Sequence, residues 1–237
     1  MSDPVPPQPE PSYGPPAYPP PPQPQYGAPM YASGPGAWLV RPLRGIGGAT
    51  RGLIVAYAAL SGVTIIVNLW GIVSLNAYST GLVGIDALEA YDAISRPVSI
   101  LSLLVLLASG VCWMVWQYRA AASLPAGSLR RSPGWHVGSW FIPIVSLWFP
   151  FQNVSDIARS SRADLDGGIR GIWWVLWIAG NLTSGIGGRM LLTGNSLPGF
   201  IAGLTISIVS DALVIVGAVF AWIVVARITA AIDPSAR

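Results

Sequence analysis

The stretch Phe200–Ala226, FIAGLTISIVSDALVIVGAVFAWIVVA, decides the fold. It runs 27 residues with one ionisable side chain, Asp211. A helix that crosses the roughly 30 Å hydrocarbon core of a bilayer needs about 20 apolar residues. This run exceeds that length and ends at Arg227, a charge suited to the headgroup region. Three further runs satisfy the same count: Gly52–Asn76 after Arg51, Pro97–Gln117 between Arg96 and Arg119, and Ile172–Leu192 after Arg170. Arg189 is the one basic residue inside any of them, near enough to an end to snorkel. The composition agrees. Only 10% of the residues are charged and the mean hydropathy is +0.56, whereas a soluble domain carries about 25% charged residues. The expected fold is an all-α membrane protein, a bundle of four transmembrane helices.

A fifth run, 135–151, is ambiguous. Pro143 and Pro150 interrupt it, and Trp135, Trp140 and Trp148 crowd it. Proline breaks helices and tryptophan favours the membrane interface. If this run does not cross, both termini are cytoplasmic, and only Arg96 and Arg189 lie near the outer side. If it crosses, Arg159, Arg162 and Arg170 move outside and the positive-inside bias is lost. A re-entrant or interfacial aromatic segment follows. The outer loop 77–96 has room for a short helix starting near Asp86, and 193–199 is expected to close a tight hairpin.

The first 40 residues are of another kind. Residues 1–42 hold 15 of the 22 prolines, four tyrosines (Tyr13, Tyr18, Tyr26 and Tyr31) and only two acids. Such a segment buries too little apolar surface to offset its ordering entropy. It reads as a disordered Pro/Gly/Tyr-rich cytoplasmic tail with polyproline II bias, either a docking strip for a protein partner or a solvated leader. Residues 41–230 form the transmembrane domain and 231–237 a short C-terminal tail.

Asp211 is costly in lipid unless neutralised, paired or hydrated, and is a functional candidate on that ground. Asn181 and Asp211 lie equally far from the hairpin centre near residue 196, so the two are level and a hydrogen bond between them is expected. Gly180, Ser184 and Gly188 on one helix, and Gly199, Gly203 and Ser207 on the other, are expected to let the backbones approach. His136, the sole histidine, and Cys112, the sole cysteine, read as structural. Nucleic-acid binding is excluded because the 13 basic residues, all arginine, form no cluster. With one cysteine and one histidine, no cysteine- or histidine-based zinc site is expected. No phosphate-binding loop or nucleophile elbow occurs, so neither enzyme activity nor a cofactor is expected.

The segment Ser132–Trp148, SPGWHVGSWFIPIVSLW, resembles the S-P-G-W-x-x-G-W-W-F-x-P-x-x-x-L-W signature of the bacterial domain of unknown function family 4328. Pro150, Asn153, Asp156, Ile157, Arg159, Ser161 and the run Trp173-Trp174-x-x-Trp177 fit it too, and the resemblance spans about 41–230. Ser139 and Phe149 depart from the usual pattern. The resemblance implies a multi-pass protein of the bacterial cell membrane and no particular activity. Within the motif, Pro133, Gly134, Trp135, Gly138, Trp140, Pro143, Trp148, Asp156 and Arg159 form a candidate interfacial site. Gly134 and Gly138 would allow close approach or a bend, and Asp156 and Arg159 can pair at i,i+3. The leading functional expectation is a membrane scaffold or adaptor. The alternatives are a small transporter or channel component using Asp211, and a lipid-headgroup-binding or lipid-modifying protein using Trp135–Trp148. Membrane lipids are the expected surroundings in every case.

Overall fold

The computed structural model describes residues 43–233, so the expected tail over 1–40 and the last residues of the C-terminal tail lie outside the described residues. The described chain is all-helical: α1 (Leu43–Ser79), α2 (Asp86–Ala122), α3 (Pro133–Gly138), a 3-10 turn (Val145–Leu147), α4 (Phe149–Ser160), α5 (Gly167–Thr193) and α6 (Leu197–Ile232). At 1.5 Å per residue, α1, α2 and α6 are each about 55 Å long, more than a bilayer core requires. These three are long and apolar enough to cross a membrane. The 27 residues of α5 are long enough, but its tryptophans, glycines and Asn181 lower its hydropathy below the other three.

The helices extend beyond the expected spans. The outer loop shrinks to 80–85, because α2 starts at Asp86 and runs through Pro97 without interruption. Residues 86–96 are mostly good helix formers, and an i,i+4 pair joins Arg96 to Asp92 at 2.8 Å. These hold the turn that Pro97 would otherwise weaken. The short hairpin between α5 and α6 forms as expected. Ser196 caps α6 by accepting from the Gly199 amide at 3.3 Å, and Pro198 occupies the first turn.

Packing runs in the order α2–α1–α6–α5, each helix antiparallel to its neighbour, and α2 and α5 are not packed along one another. Small residues set the contacts. A Cβ placed on Gly71 would lie 2.5 Å from the Tyr91 ring, and one on Gly47 2.8 Å from Thr229 Oγ1. Between α5 and α6 the close approach falls at Gly187 and Gly203, where a Cβ would meet Ser207 Oγ at 2.9 Å and Leu191 Cδ2 at 2.9 Å respectively. Gly188 faces open space, and Gly199 meets only its own turn. The approach expected at Gly203 and Ser207 forms, the one expected at Gly199 does not, and on α5 the contact falls at Gly187 in place of Gly188. Adjacent helical positions differ by about 100° of rotation, so one residue changes the face.

Segment 135–151 forms no continuous helix. It breaks into α3, a turn containing Pro143, the 3-10 turn and the start of α4 at Phe149-Pro150. At this end of the bundle α2 stops, α5 starts, and Val154, Ile157 and Ala158 of α4 join one buried cluster with Trp116, Val224, Val225 and Ile228. Nine of the eleven arginines among the described residues lie toward this end, and Arg96 and Arg189 toward the other.

Candidate functional site

Because α2 and α5 diverge, a groove of about 510 Å³ lies between them, floored by α6. Leu106, Leu107, Val111 and Met114 of α2 form one wall, and Leu176, Trp177 and Asn181 of α5 the other. Trp140 and Phe141 close the arginine-rich end. Leu106, Leu107 and Val111 remain substantially exposed, so the groove opens sideways between α2 and α5. The Asp211 carboxyl lies in its floor, and no basic residue lines it.

Asp211 and Asn181 line this one groove, as their common depth requires, but they do not form the expected direct bond. Asn181 Nδ2 donates to the Trp177 carbonyl of its own helix at 2.7 Å. Asp211 instead faces the hydroxyl of Ser61 and the phenol of Tyr57, both on α1. The link between α5 and α6 at this level is Ser210 Oγ donating to the Gly180 carbonyl at 3.0 Å.

Tyr57 and Ser61 belong to a stripe that continues through Thr64 and Asn68 on α1, spaced four, three and four residues apart. That is the period of a single helix face. Tyr91, Ser95 and Ser99 repeat every four residues on α2. The stripes converge with Ser184, Ser207 and Ser210 around a second cavity of about 250 Å³, on the side of Asp211 away from the arginine-rich end. Asp211 thus borders both cavities. Asn68 accepts from Tyr91 OH at 3.5 Å across the α1–α2 contact.

The interfacial motif makes a separate constellation. Trp140 leaves the lipid-facing set and packs edge-on against Trp177 at 5.2 Å, while Trp113 stacks on Trp173 at 5.2 Å and Trp174 on Trp177 at 4.9 Å. These rings join α2, the aromatic turn and α5. Three of their N–H groups are occupied. Trp113 and Trp140 both donate to Gln117 Oε1, at 3.2 and 3.0 Å, and Trp174 donates to the Leu147 carbonyl at 3.1 Å. Trp135 and Trp148 remain exposed, as anchors would. Pro133 starts α3 and Gly138 ends it; of the two uses expected for Gly134 and Gly138, no close approach forms among the described residues, and the chain turns after Gly138.

Below the aromatic turn, Asn153 is fully buried, donating to Ser139 Oγ at 3.1 Å and accepting from Arg131 at 3.1 Å. The Arg131 guanidinium lies 3.6 Å over the Phe149 ring. Buried Asp156 pairs with Arg159, as the spacing predicts, and with Arg130 at 3.5 Å. Arg162 lies beyond the end of α4, in a turn of positive φ. His136 is completely buried beside Asp156 and the Arg131 backbone, and among the described residues neither ring nitrogen makes a hydrogen bond of regular geometry. Burial lowers its pKa; the Asp156 carboxylate and the Arg131 backbone counter this, and the Arg131 charge adds to it.

Sequence reasoning missed Tyr57, Ser61 and Gln117. The polar period along α1 was the available signal for the first two.

Residues 79–230 match the family described as Domain of unknown function (DUF4328). The match covers more than half of the chain, and the chain belongs to that family. It begins at the end of α1, so the residues that α1 brings to Asp211 lie outside the matched segment. No curated protein and no solved structure matches the chain.

Proposed function

We propose that this DUF4328 protein is a four-span component of the bacterial cell membrane that takes hydrophobic organic cations from the bilayer into the groove between α2 and α5. In this reading α5 is the fourth span, carried across by its packing on α6. The arginine-rich end, with both termini and the interfacial aromatic segment, is cytoplasmic, following the positive-inside bias. The observation that carries the reading is the Asp211 carboxyl in the floor of a sideways-open apolar groove with no basic neighbour. Groove walls of leucine and tryptophan suit an apolar body. Trp113, Trp140, Trp173 and Trp177 add ring faces, which attract cations. An intramembrane carboxyl favours a positive charge over a neutral or negative one. This chemistry supports a small transporter component over a scaffold, whose docking strip would lie in residues 1–40, outside the described chain. The role carries no enzymatic step and no cofactor.

The test is equilibrium binding of radiolabelled tetraphenylphosphonium to the purified full-length protein, with tetraphenylborate as the isosteric anion. Saturable binding of the cation alone, weakened at least about tenfold in Asp211→Asn (about 1.4 kcal/mol), is expected. Equal binding by the anion, or an unchanged affinity in a folded Asp211→Asn variant, refutes the proposal.

A further inference from the structure

The second cavity has a chemistry of its own. The hydroxyls of Thr64 and Ser207 donate their single protons to the carbonyls of Leu60 and Gly203, each at 3.0 Å. Ser210 likewise donates to Gly180 at 3.0 Å. A hydroxyl that has spent its proton presents only lone pairs to whatever lies beside it. With Asn68 Oδ1 and the Asp211 carboxyl, these are oxygen acceptors drawn from α1 and α6, and no basic side chain lines the cavity. A lining rich in acceptors, with one carboxyl and no basic side chain, suits a cation.

We infer that this cavity is a binding site for a partly hydrated sodium ion. One carboxyl supplies one negative charge, which suits a monovalent ion. Calcium sites gather several carboxylates, and among the described residues no three His, Cys, Asp or Glu side chains converge anywhere. A volume of about 250 Å³ exceeds a bare ion and leaves room for several waters. The helix contacts support a formed site, because Gly187 and Gly203 fix the α5–α6 spacing beside Ser207, and Gly71 fixes Tyr91 against α1. The site shares Asp211 with the groove but does not depend on what the groove binds.

Thermal unfolding of the purified full-length protein, with sodium chloride replacing choline chloride at constant ionic strength and pH, tests this. The unfolding midpoint is expected to rise with sodium and saturate. Ser207→Ala and Thr64→Val line only the ion cavity, and each is expected to raise the half-saturating sodium concentration about tenfold while leaving tetraphenylphosphonium binding intact. Trp177→Leu, which lines only the groove, is expected to do the reverse. A midpoint indifferent to sodium overturns the site. So does a response that persists unchanged in Ser207→Ala, or one that follows pH alone and marks a proton site. Loss of lipophilic-cation binding alone, with the sodium response retained, would count against the groove and leave the ion site standing.

Discussion

The adjacent glycines of α5 make a sharp test of the packing. A Cβ added at Gly187 would sit 2.9 Å from Ser207 Oγ, 3.2 Å from the Gly203 carbonyl oxygen and 3.3 Å from Ile206 Cγ2. Ser207 cannot swing away without giving up its 3.0 Å bond to that same carbonyl, and the carbonyl is fixed in the α6 backbone. The helices must separate by a few tenths of an ångström. Overpacking of this kind costs about 1–3 kcal/mol, and replacing a helical glycine by alanine returns about 0.5–1 kcal/mol. Gly187→Ala should therefore destabilise by up to about 2.5 kcal/mol. At Gly188 an added Cβ meets nothing within 4 Å. There only the helix gain remains, so Gly188→Ala should stabilise by about 0.5–1 kcal/mol. Reversible unfolding in mixed micelles of rising dodecyl sulfate content, followed by circular dichroism, resolves a gap of this size. The reasoning is refuted if Gly188→Ala is the more damaging of the two, since that would put the α5–α6 contact on the other face.

Three other outcomes are expected. Gln117→Leu removes the shared acceptor of the Trp113 and Trp140 indoles. Leaving buried donors unpaired costs about 1–3 kcal/mol each, which should appear as a lower thermal midpoint and altered tryptophan emission. His136 has its pKa lowered in the folded state by burial, so the unfolded chain takes up the proton first. The stability held by the neutral ring is complete above the unfolded value of about 6.5. It drains below that at up to about 1.4 kcal/mol per pH unit until the folded ring titrates. The thermal midpoint should fall between pH 7 and pH 5.5, and His136→Phe should flatten that fall. Because one carboxyl borders both cavities, sodium should weaken tetraphenylphosphonium binding in a competition titration, and an affinity independent of sodium would separate the two sites.

What the sequence revealed was local. The apolar runs at the cores of the long helices, the three-residue connection before Leu197, the breaks at Pro143 and Pro150, and the Asp156–Arg159 pair each follow from neighbours a few positions apart, whereas the polar extensions of α1 and α2 did not. The rotation of a helix against its partners did not follow. Level residues need not face one another. Asn181 satisfied its amide on the i−4 carbonyl of Trp177, an option open to any such residue within a helix, and Asp211 turned to α1. The same uncertainty of rotation exchanged Gly188 for Gly187. Counting polar positions along α1 at helical spacing would have picked out Tyr57, Ser61, Thr64 and Asn68 as one face, and so named the helix that Asp211 meets. The burial of Gln117 was not legible, because it stands at the end of an apolar run where exposure is the ordinary expectation.

The central claim is that the Asp211 carboxyl is reached from the lipid through the gap between α2 and α5. Labelling of the protein in membranes with a lipophilic carbodiimide, followed by peptide mapping, tests it most directly. The account predicts modification at Asp211 by dicyclohexylcarbodiimide, little by a water-soluble carbodiimide, and protection by tetraphenylphosphonium. An unmodified Asp211, or modification that the cation leaves untouched, would contradict it.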